Sequence, residues 1–488
     1  MPQSRPLALT TLLLMGGCMV GPNYHKPSTP TPPAYKEAGG WTPIQPSDAA
    51  DRKDWWTVFG DPTLNTLEAR VEVSNQTLAA AEAAYRQAHA VVAEDQAALW
   101  PVVTGGANVT QSGGGGGSNS SGVGGTGSSG SGSTTGGTGG GKTRTIYQVN
   151  LGATWAPDIW GAVRRQINSG KAQAQASAAL VANARLSAQI ELASDYFTLR
   201  QLDEEKRDDD AILAADKHAL DVVQNKYNAG NAARSDLLTA KGTYDSAQAN
   251  DADLAQQRAR MEDAIAVLAG QPPADLPLPP GPWNLTVPQI PATVPSALLQ
   301  RRPDIANAER TAASQSELIG VAVAAYFPNL NLSGQGGFSA PNLGSLFNAS
   351  SLFWSLGAQA AETIFNGGLT SAKVRAAHAA YEEAVANYRQ TVLAAFQNVE
   401  DNMAAQKVFE SEEALLQAAY DNAQENVTVT LNEYQAGTVD YTTVATAQVT
   451  AYQARNALTQ MQANRLTTAV SLIEALGGGW NTSQLPKS

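Results

Sequence analysis

Ala162–Asn228, Ala232–Ala269, Gly368–Ala436 and Val439–Leu476 contain no proline and are rich in alanine and other strong helix formers. An unbroken helix over the first of them would be about 100 Å long. No globular core accommodates such a rod, so long helices must pack side by side as coiled coils. The period supports this. Ala240, Ala247, Leu254, Met261 and Leu268 are seven apart, and Val444, Ala451, Leu458 and Leu472 keep the same register. A sustained seven-residue repeat imposes left-handed supercoiling, and an alanine-rich seam lets backbones approach closely.

The chain is also written twice. Lys226-Tyr-Asn-Ala-Gly230 matches Glu433-Tyr-Gln-Ala-Gly437 at an offset of 207 residues, whereas Trp100-Pro101 matches Phe327-Pro328 at 227. The first half therefore carries about 20 extra residues between those anchors. They fall in the loop 112–141, almost wholly Gly, Ser and Thr, which cannot bury enough apolar surface to offset its entropy. The expected organisation is a first repeat over 61–271, a Pro-rich connector over 272–295 packed on the helices, a second repeat over 296–479 and a tail over 480–488.

Each repeat opens with a helical stretch, Asp61–Leu99 or Pro303–Ala325. Two alternating segments follow. Tyr147, Val149, Leu151, Ala153 and Trp155 alternate with polar or small residues, as do Leu330 and Leu332, and Leu352, Trp354, Leu356 and Ala358. Val103, Ala107 and Val109 continue a weaker version. Roughly ten residues is the length of a tilted membrane strand, with one face for lipid and one for a lumen. Four strands cannot enclose water, since the smallest membrane barrels have about eight. Open edges in lipid would leave N–H and C=O groups unpaired. Membrane strands therefore require an oligomer sharing one barrel; composition does not choose between dimer and trimer.

Residues 1–17 read as a signal peptide: Arg5, the apolar stretch Leu7 to Met15, then Gly16 and Gly17. The chain's single cysteine, Cys18, follows directly and resembles a lipobox cysteine that takes a covalent lipid. Residues 18–60, with prolines from Pro22 to Pro46, read as an extended tether. Met19 at the next position implies, by that resemblance, sorting to the outer membrane.

The motifs then converge. Cys18-Met-Val-Gly-Pro-Asn-Tyr24, Trp55-Trp56 with Phe59-Gly-Asp61-Pro-x-Leu64, Arg301-Arg302-Pro303-Asp304, Ile364-Phe365-Asn366-Gly367-Gly368 and both Tyr-x-Ala-Gly turns resemble TolC-type outer membrane factors. The match is to the NodT-like lipoprotein branch that serves multidrug efflux of the RND type. This resemblance implies a mainly α fold with a membrane β-barrel. It implies a homotrimer whose helices form an α-barrel and whose strands make one twelve-stranded barrel in outer-membrane lipid. It further implies a periplasmic adaptor and an inner-membrane RND transporter as partners, with energy supplied by the transporter. The Gly230 and Gly437 turns would lie at the periplasmic tip and meet the adaptor. Asp236 and Tyr434 would fall where the family links an Asp to a Tyr to hold the tip shut, and Tyr227 is the repeat counterpart of Tyr434. The family's constricting acidic rings would fall on Thr443 and Thr446, leaving Asp440 as the one acid nearby.

Other classes fit poorly. The net charge of −12 argues against nucleic-acid binding, and one cysteine with four scattered histidines argues against a metal cluster. No apolar run is long enough for a spanning helix, which says nothing of a barrel. Gly136–Thr143 spells a P-loop, but the required strand before and helix after are missing. The run Asp203–Asp210 reads as a solvated helix face. No catalytic set is present, so the chain is not read as an enzyme, and it needs no cofactor beyond the lipid on Cys18. A passive small-molecule exit duct is expected. A duct for polypeptide secretion and a coiled-coil surface scaffold are the competing readings.

Overall fold

The computed structural model describes residues 19–37, 39, 54–113, 143–283, 286–288, 290 and 295–486. Cys18, the leader before it and loop residues 114–141 lie outside the described residues. In chain order the helices and strands are α1 (Pro62–Ser74), α2 (Gln76–Ala97), β1 (Val102–Gly113), β2 (Thr143–Trp155), α3 (Ala162–Asn228) and α4 (Arg234–Leu268). The second half gives α5 (Pro295–Arg301), α6 (Pro303–Ala324), β3 (Asn329–Ala340), β4 (Leu352–Ala361), α7 (Leu369–Gln435) and α8 (Tyr441–Ala475). Helices α3 and α7 are each 67 residues long, and α4 and α8 each 35. The duplication holds to the residue: Val102 and Asn329 start their strands 227 apart, while Ala162 and Leu369 start their helices 207 apart.

One expected helix is two. Asn75 separates α1 from α2 with an extended backbone, φ −66° and ψ 121°. Its side-chain oxygen accepts from the Leu78 amide (3.0 Å) and its amide group donates to the Leu268 carbonyl (2.9 Å). The capping chemistry of Asn outcompetes continuation of the helix.

The residues pack as two units. One contains Ala93–Asn168 and Glu317–Ala377 with the segment up to Asn23. Its centre is one antiparallel sheet in the order β1-β2-β3-β4. The register sorts the side chains into two faces. The rows Ala107–Val149–Phe338–Leu352 and Val103–Ala153–Gly334–Leu356 share the apolar face. The rows Thr104–Gly152–Gln335–Ser355 and Val102–Thr154–Ser333–Gly357 share the other, which is small and polar. Trp354 and Leu356 are 74% and 81% exposed, and among the described residues Phe338 on this face meets Phe347 edge-on at 5.5 Å. Such a sheet suits lipid on one side and water on the other.

The second unit holds Tyr24–Val92, Ser169–Ser316 and His378–Ser488. Its core joins Trp55, Trp56 and Phe59 to Leu64, Leu67 and Val71 of α1, Tyr196 and Phe197 of α3, and Ile265 of α4. Asp61 caps α1 through the Thr63 amide (2.7 Å) and also accepts from the Tyr196 hydroxyl. This accounts for the Trp-Trp-x-x-Phe-Gly-Asp-Pro string: aromatic anchors followed by a helix start. A second cluster packs Leu298, Ile305, Tyr388 and Val392 with Tyr35. The described part of the Pro-rich segment is held against the second unit. The amides of Lys36 and Glu37 donate to Glu400 at 2.7 and 3.0 Å. The connector packs as expected, with Leu276 and Leu278 buried in the first cluster. The heptad positions Val444, Ala451, Leu458 and Leu472 of α8 are buried and mark a packing seam, whereas of those in α4 only Ala247 is buried and Ala240, Leu254, Met261 and Leu268 are half-buried.

The acidic run is not a solvated face. Asp203, Glu204 and Asp209 are buried. Asp203 accepts from Arg200 (2.7 Å), Arg258 (2.7 Å) and the Gly281 amide (3.1 Å). Glu204 pairs with Arg207 and Arg455, and Asp209 accepts from the Tyr452 hydroxyl at 3.1 Å. At this level α3 meets both α4 and α8, and arginines far away in sequence supply the counter-charge. Asp210 does face solvent and pairs with Lys206, which also pairs with Asp251 at 2.6 Å.

Glu68 is the opposite case. It is fully buried on the packed face of α1, and neither carboxylate oxygen has a hydrogen-bond partner. Burial, and then the nearby Glu72, push its pKa up to about 9. The folded state thus holds the neutral acid. Its folded pKa lies above the unfolded value, so its contribution is fully present below about pH 4.5 and is lost as pH rises towards about 9. Stability should fall by roughly 1.4 kcal/mol per pH unit from pH 6 to 8 through this one group. Glu68→Gln should flatten that slope, as read by thermal unfolding across the range. An unchanged slope would show that Glu68 is already ionised when folded.

Candidate functional site

The two helical hairpins turn at Gly230 (φ 77°) and Gly437 (φ 75°). The bonding is the same at both. The Gly230 and Gly437 amides donate to the carbonyls of Tyr227 and Tyr434, and the Asn231 and Thr438 amides to those of Lys226 and Glu433. This is the 6→1 and 5→2 pattern of a left-handed helix C-terminus, which glycine adopts without strain. Among the described residues nothing lies within 4 Å of a Cβ placed on either glycine, so a side chain there has open space.

Between the hairpins lies a groove of about 570 Å³. Asp216 and Lys226 come to it from α3, Asp236 and Thr239 from α4, and Asp440 and Thr446 from the start of α8. The structure thus brings Asp236, Asp440 and Thr446 to one place. Thr443 is exposed with its amide on the Asp440 carbonyl (3.0 Å), and Tyr227 is 38% exposed. Asp236 and Tyr434 share no hydrogen bond within the protomer. Asp236 accepts from Ser235 (3.2 Å), while the Tyr434 hydroxyl sits 3.0 Å from Lys226 Nζ. That ammonium also lies 5.0 Å from the Tyr434 ring centroid, and the ring meets Tyr441 edge-on at 5.3 Å. The Lys226–Tyr434 contact ties the end of α3 to the end of α7.

Sequence reasoning missed Lys226, although the repeat carried a signal. Lys226 aligns with Glu433, a charge reversal in two otherwise like turns. It also missed Asp216, which is buried at the groove with its pKa raised by burial and then by Asp209. The Tyr441 hydroxyl is raised by burial, then by Asp216 and Tyr434. The groove is therefore acidic, with one engaged cation.

Among the described residues no group of His, Cys, Asp or Glu could hold a metal ion, and no helix is long and apolar enough to cross a membrane. What remains is a two-faced sheet of membrane-strand length, duplicated helical hairpins and an uncovered polar tip. Together these define a subunit of an outer-membrane channel. The chain belongs to the outer membrane efflux protein family, whose model matches residues 69–271 and 294–478. It is 30% identical over 494 residues to the toluene efflux pump outer membrane protein TtgC of Pseudomonas putida, covering 97% of this chain and 95% of that one. It is 30% identical over 484 residues to the pyoverdine export outer membrane protein OpmQ of Pseudomonas aeruginosa, covering 98% and 97%. Among solved structures, the outer-membrane channel OprN matches with a TM-score of 0.82 at 26% identity, covering 95% of this chain and all of that one. The chain is an outer-membrane protein that serves as an efflux exit duct.

Proposed function

We propose that three copies close one barrel and form the passive, gated duct of a tripartite efflux pump for small organic molecules. The observation that carries this is the open sheet. Among the described residues β1 and β4 have a strand partner on one side only. An open edge cannot persist in lipid, so β1 of one copy must pair with β4 of the next. Three protomers would supply twelve strands, enough for a water-filled barrel. Two relatives are named for toluene efflux and for pyoverdine export, which supports organic molecules as the cargo class. The energy would come from an inner-membrane transporter, reached through a periplasmic adaptor at the Gly230 and Gly437 turns. Cys18 carries the lipid.

The tip is the gate. Lys226 and Tyr434 tie the two hairpins of a protomer, and Asp236 and Asp440 line the groove, where they would engage a neighbouring copy. Thr443 and Thr446 would line a neutral constriction, with Tyr227 beside it. Planar-bilayer recordings on purified protein test this. Wild type should give small, flickering conductance, and Lys226→Met and Asp236→Ala should each raise it several-fold. Equal conductance in all three would keep the duct and remove both residues from the gate. Native mass spectrometry should read three chains. Silence from well-folded trimers would sink the duct and leave a coiled-coil scaffold.

A further inference from the structure

We propose that Arg165, Glu317, Gly161 and Gly320 form a seat for residues 19–23, which fixes the lipid-bearing end of the chain at the foot of the strands. The inference rests on lipid attachment at Cys18. Arg165 lies in the first turn of α3 and is 1% exposed. One guanidinium nitrogen, Nη1, is paired with Glu317 at 2.8 Å. Its other donors all go to the N-terminal segment: Nε to the Val20 carbonyl (3.2 Å), and Nη2 to the Gly21 carbonyl (3.1 Å) and Asn23 Oδ1 (3.2 Å). The Val20 amide donates to the Trp160 carbonyl at 3.1 Å. In a stretch with no helix or strand of its own, Val20, Gly21 and Asn23 thus place polar groups on a buried cation and on the carbonyl just before α3.

The fit is steric as well. Gly21 has φ +92°, and a Cβ there would lie 2.5 Å from the Gly320 Cα. A Cβ on Gly161 would lie 2.7 Å from Met19 Cγ. The base is rigid. Trp160 stacks on Phe327 with centroids 4.7 Å apart and donates to the Pro328 carbonyl at 2.8 Å. Asp158 holds Arg164 (3.1 Å) and accepts from the Val163 amide (3.1 Å). Trp160 follows the end of β2 closely, and Pro328 directly precedes β3, so the seat lies where those two strands enter the sheet.

The duplication provides an internal control. At the equivalent positions of the other repeat, Arg165 becomes Ala372, Glu317 becomes Ala90 and Gly320 becomes Ala93. The counterpart of Gly161 is Gly368, where a Cβ would meet only Ser371 Oγ at 3.7 Å. A helix start at the foot of the strands therefore does not need this cluster. The repeat that has it is the repeat on which the N-terminal segment lies. Cys18 directly precedes Met19 in the chain, so a lipid on it would begin within about 3.6 Å of chain from the seat.

Hydrogen exchange with peptide mass analysis on full-length protein from outer membranes tests both halves. In wild type the N-terminal peptide should carry acyl mass and the Val20 amide should exchange slowly. Gly21→Val, placed on the segment and not in the folded body, should speed that exchange about a hundredfold while leaving α3 unchanged. The double variant Arg165→Met, Glu317→Gln removes the pair without stranding a charge and should do the same. It should also lower the yield of barrel-inserted protein. Rapid exchange of Val20 in wild type, or exchange that ignores both variants in acylated protein, overturns the seat and leaves the lipid intact. Slow exchange without acyl mass overturns the anchoring role and the lipid together.

Discussion

Asp203→Ala is expected to lower the stability of the helical unit by about 3–5 kcal/mol, the range for removing one partner of a buried ion pair. The side chain is fully buried and accepts from two arginines and a backbone amide. Alanine leaves Arg200 and Arg258 facing each other without their shared anion. It also frees the connector. Arg258 still reaches the Leu278 carbonyl and Glu262 the Leu278 amide, but the Gly281 amide loses its acceptor. Thermal unfolding should show the loss, and hydrogen exchange at Gly281 should rise before exchange in the middle of α3 does. Asp203→Asn keeps an acceptor and should fall between the two. Asp210→Ala, which removes an exposed partner of Lys206, should change stability by less than about 1 kcal/mol. If the Asp203 and Asp210 variants behaved alike, the acidic run would be the solvated face that its composition suggests.

That contrast shows where sequence stops being legible. The long helices, the strand segments and the offset between repeats could be read because each is set by local pattern: proline absence, period seven, period two. The Asp203–Asp210 run could not, because its meaning depends on Arg258 and Arg455, which only the packing of α3, α4 and α8 brings to it. The tip divides the same way. Gly230 and Gly437 stood out by repetition, and their turns form as a glycine there requires. Tyr434 stood out too, but its partner is Lys226, a residue whose role lies in a contact between two hairpins. The break at Asn75 was hidden because no proline or glycine marks it anywhere between Pro62 and Leu99. The seat for residues 19–23 was hidden as well, since its four residues are scattered over more than 150 positions.

Replacing the tip glycines should separate folding from pump assembly, because the same turn occurs four times in two different settings. Gly270 and Gly477 end α4 and α8 with the bonding seen at Gly230 and Gly437. There a Cβ would lie 2.1 Å from the Ser74 carbonyl oxygen or 2.2 Å from that of Arg301. Alanine at those positions must displace backbone, so the protein should be recovered in poor yield. At Gly230 and Gly437 the space is open, and a side chain pays only the left-handed penalty of about 1–2 kcal/mol. Gly230→Asn should be milder still, because Asn tolerates that conformation. Folding and bilayer conductance of Gly230→Trp should therefore resemble wild type. If the turn meets an adaptor, the indole must occupy the contact, and efflux in cells should fall about tenfold or more, the loss that 1.4 kcal/mol of binding produces. Gly230→Asn should keep most efflux. Full efflux from Gly230→Trp, at wild-type abundance in the outer membrane, would mean that the glycine serves the turn alone and that the adaptor binds elsewhere on the tip.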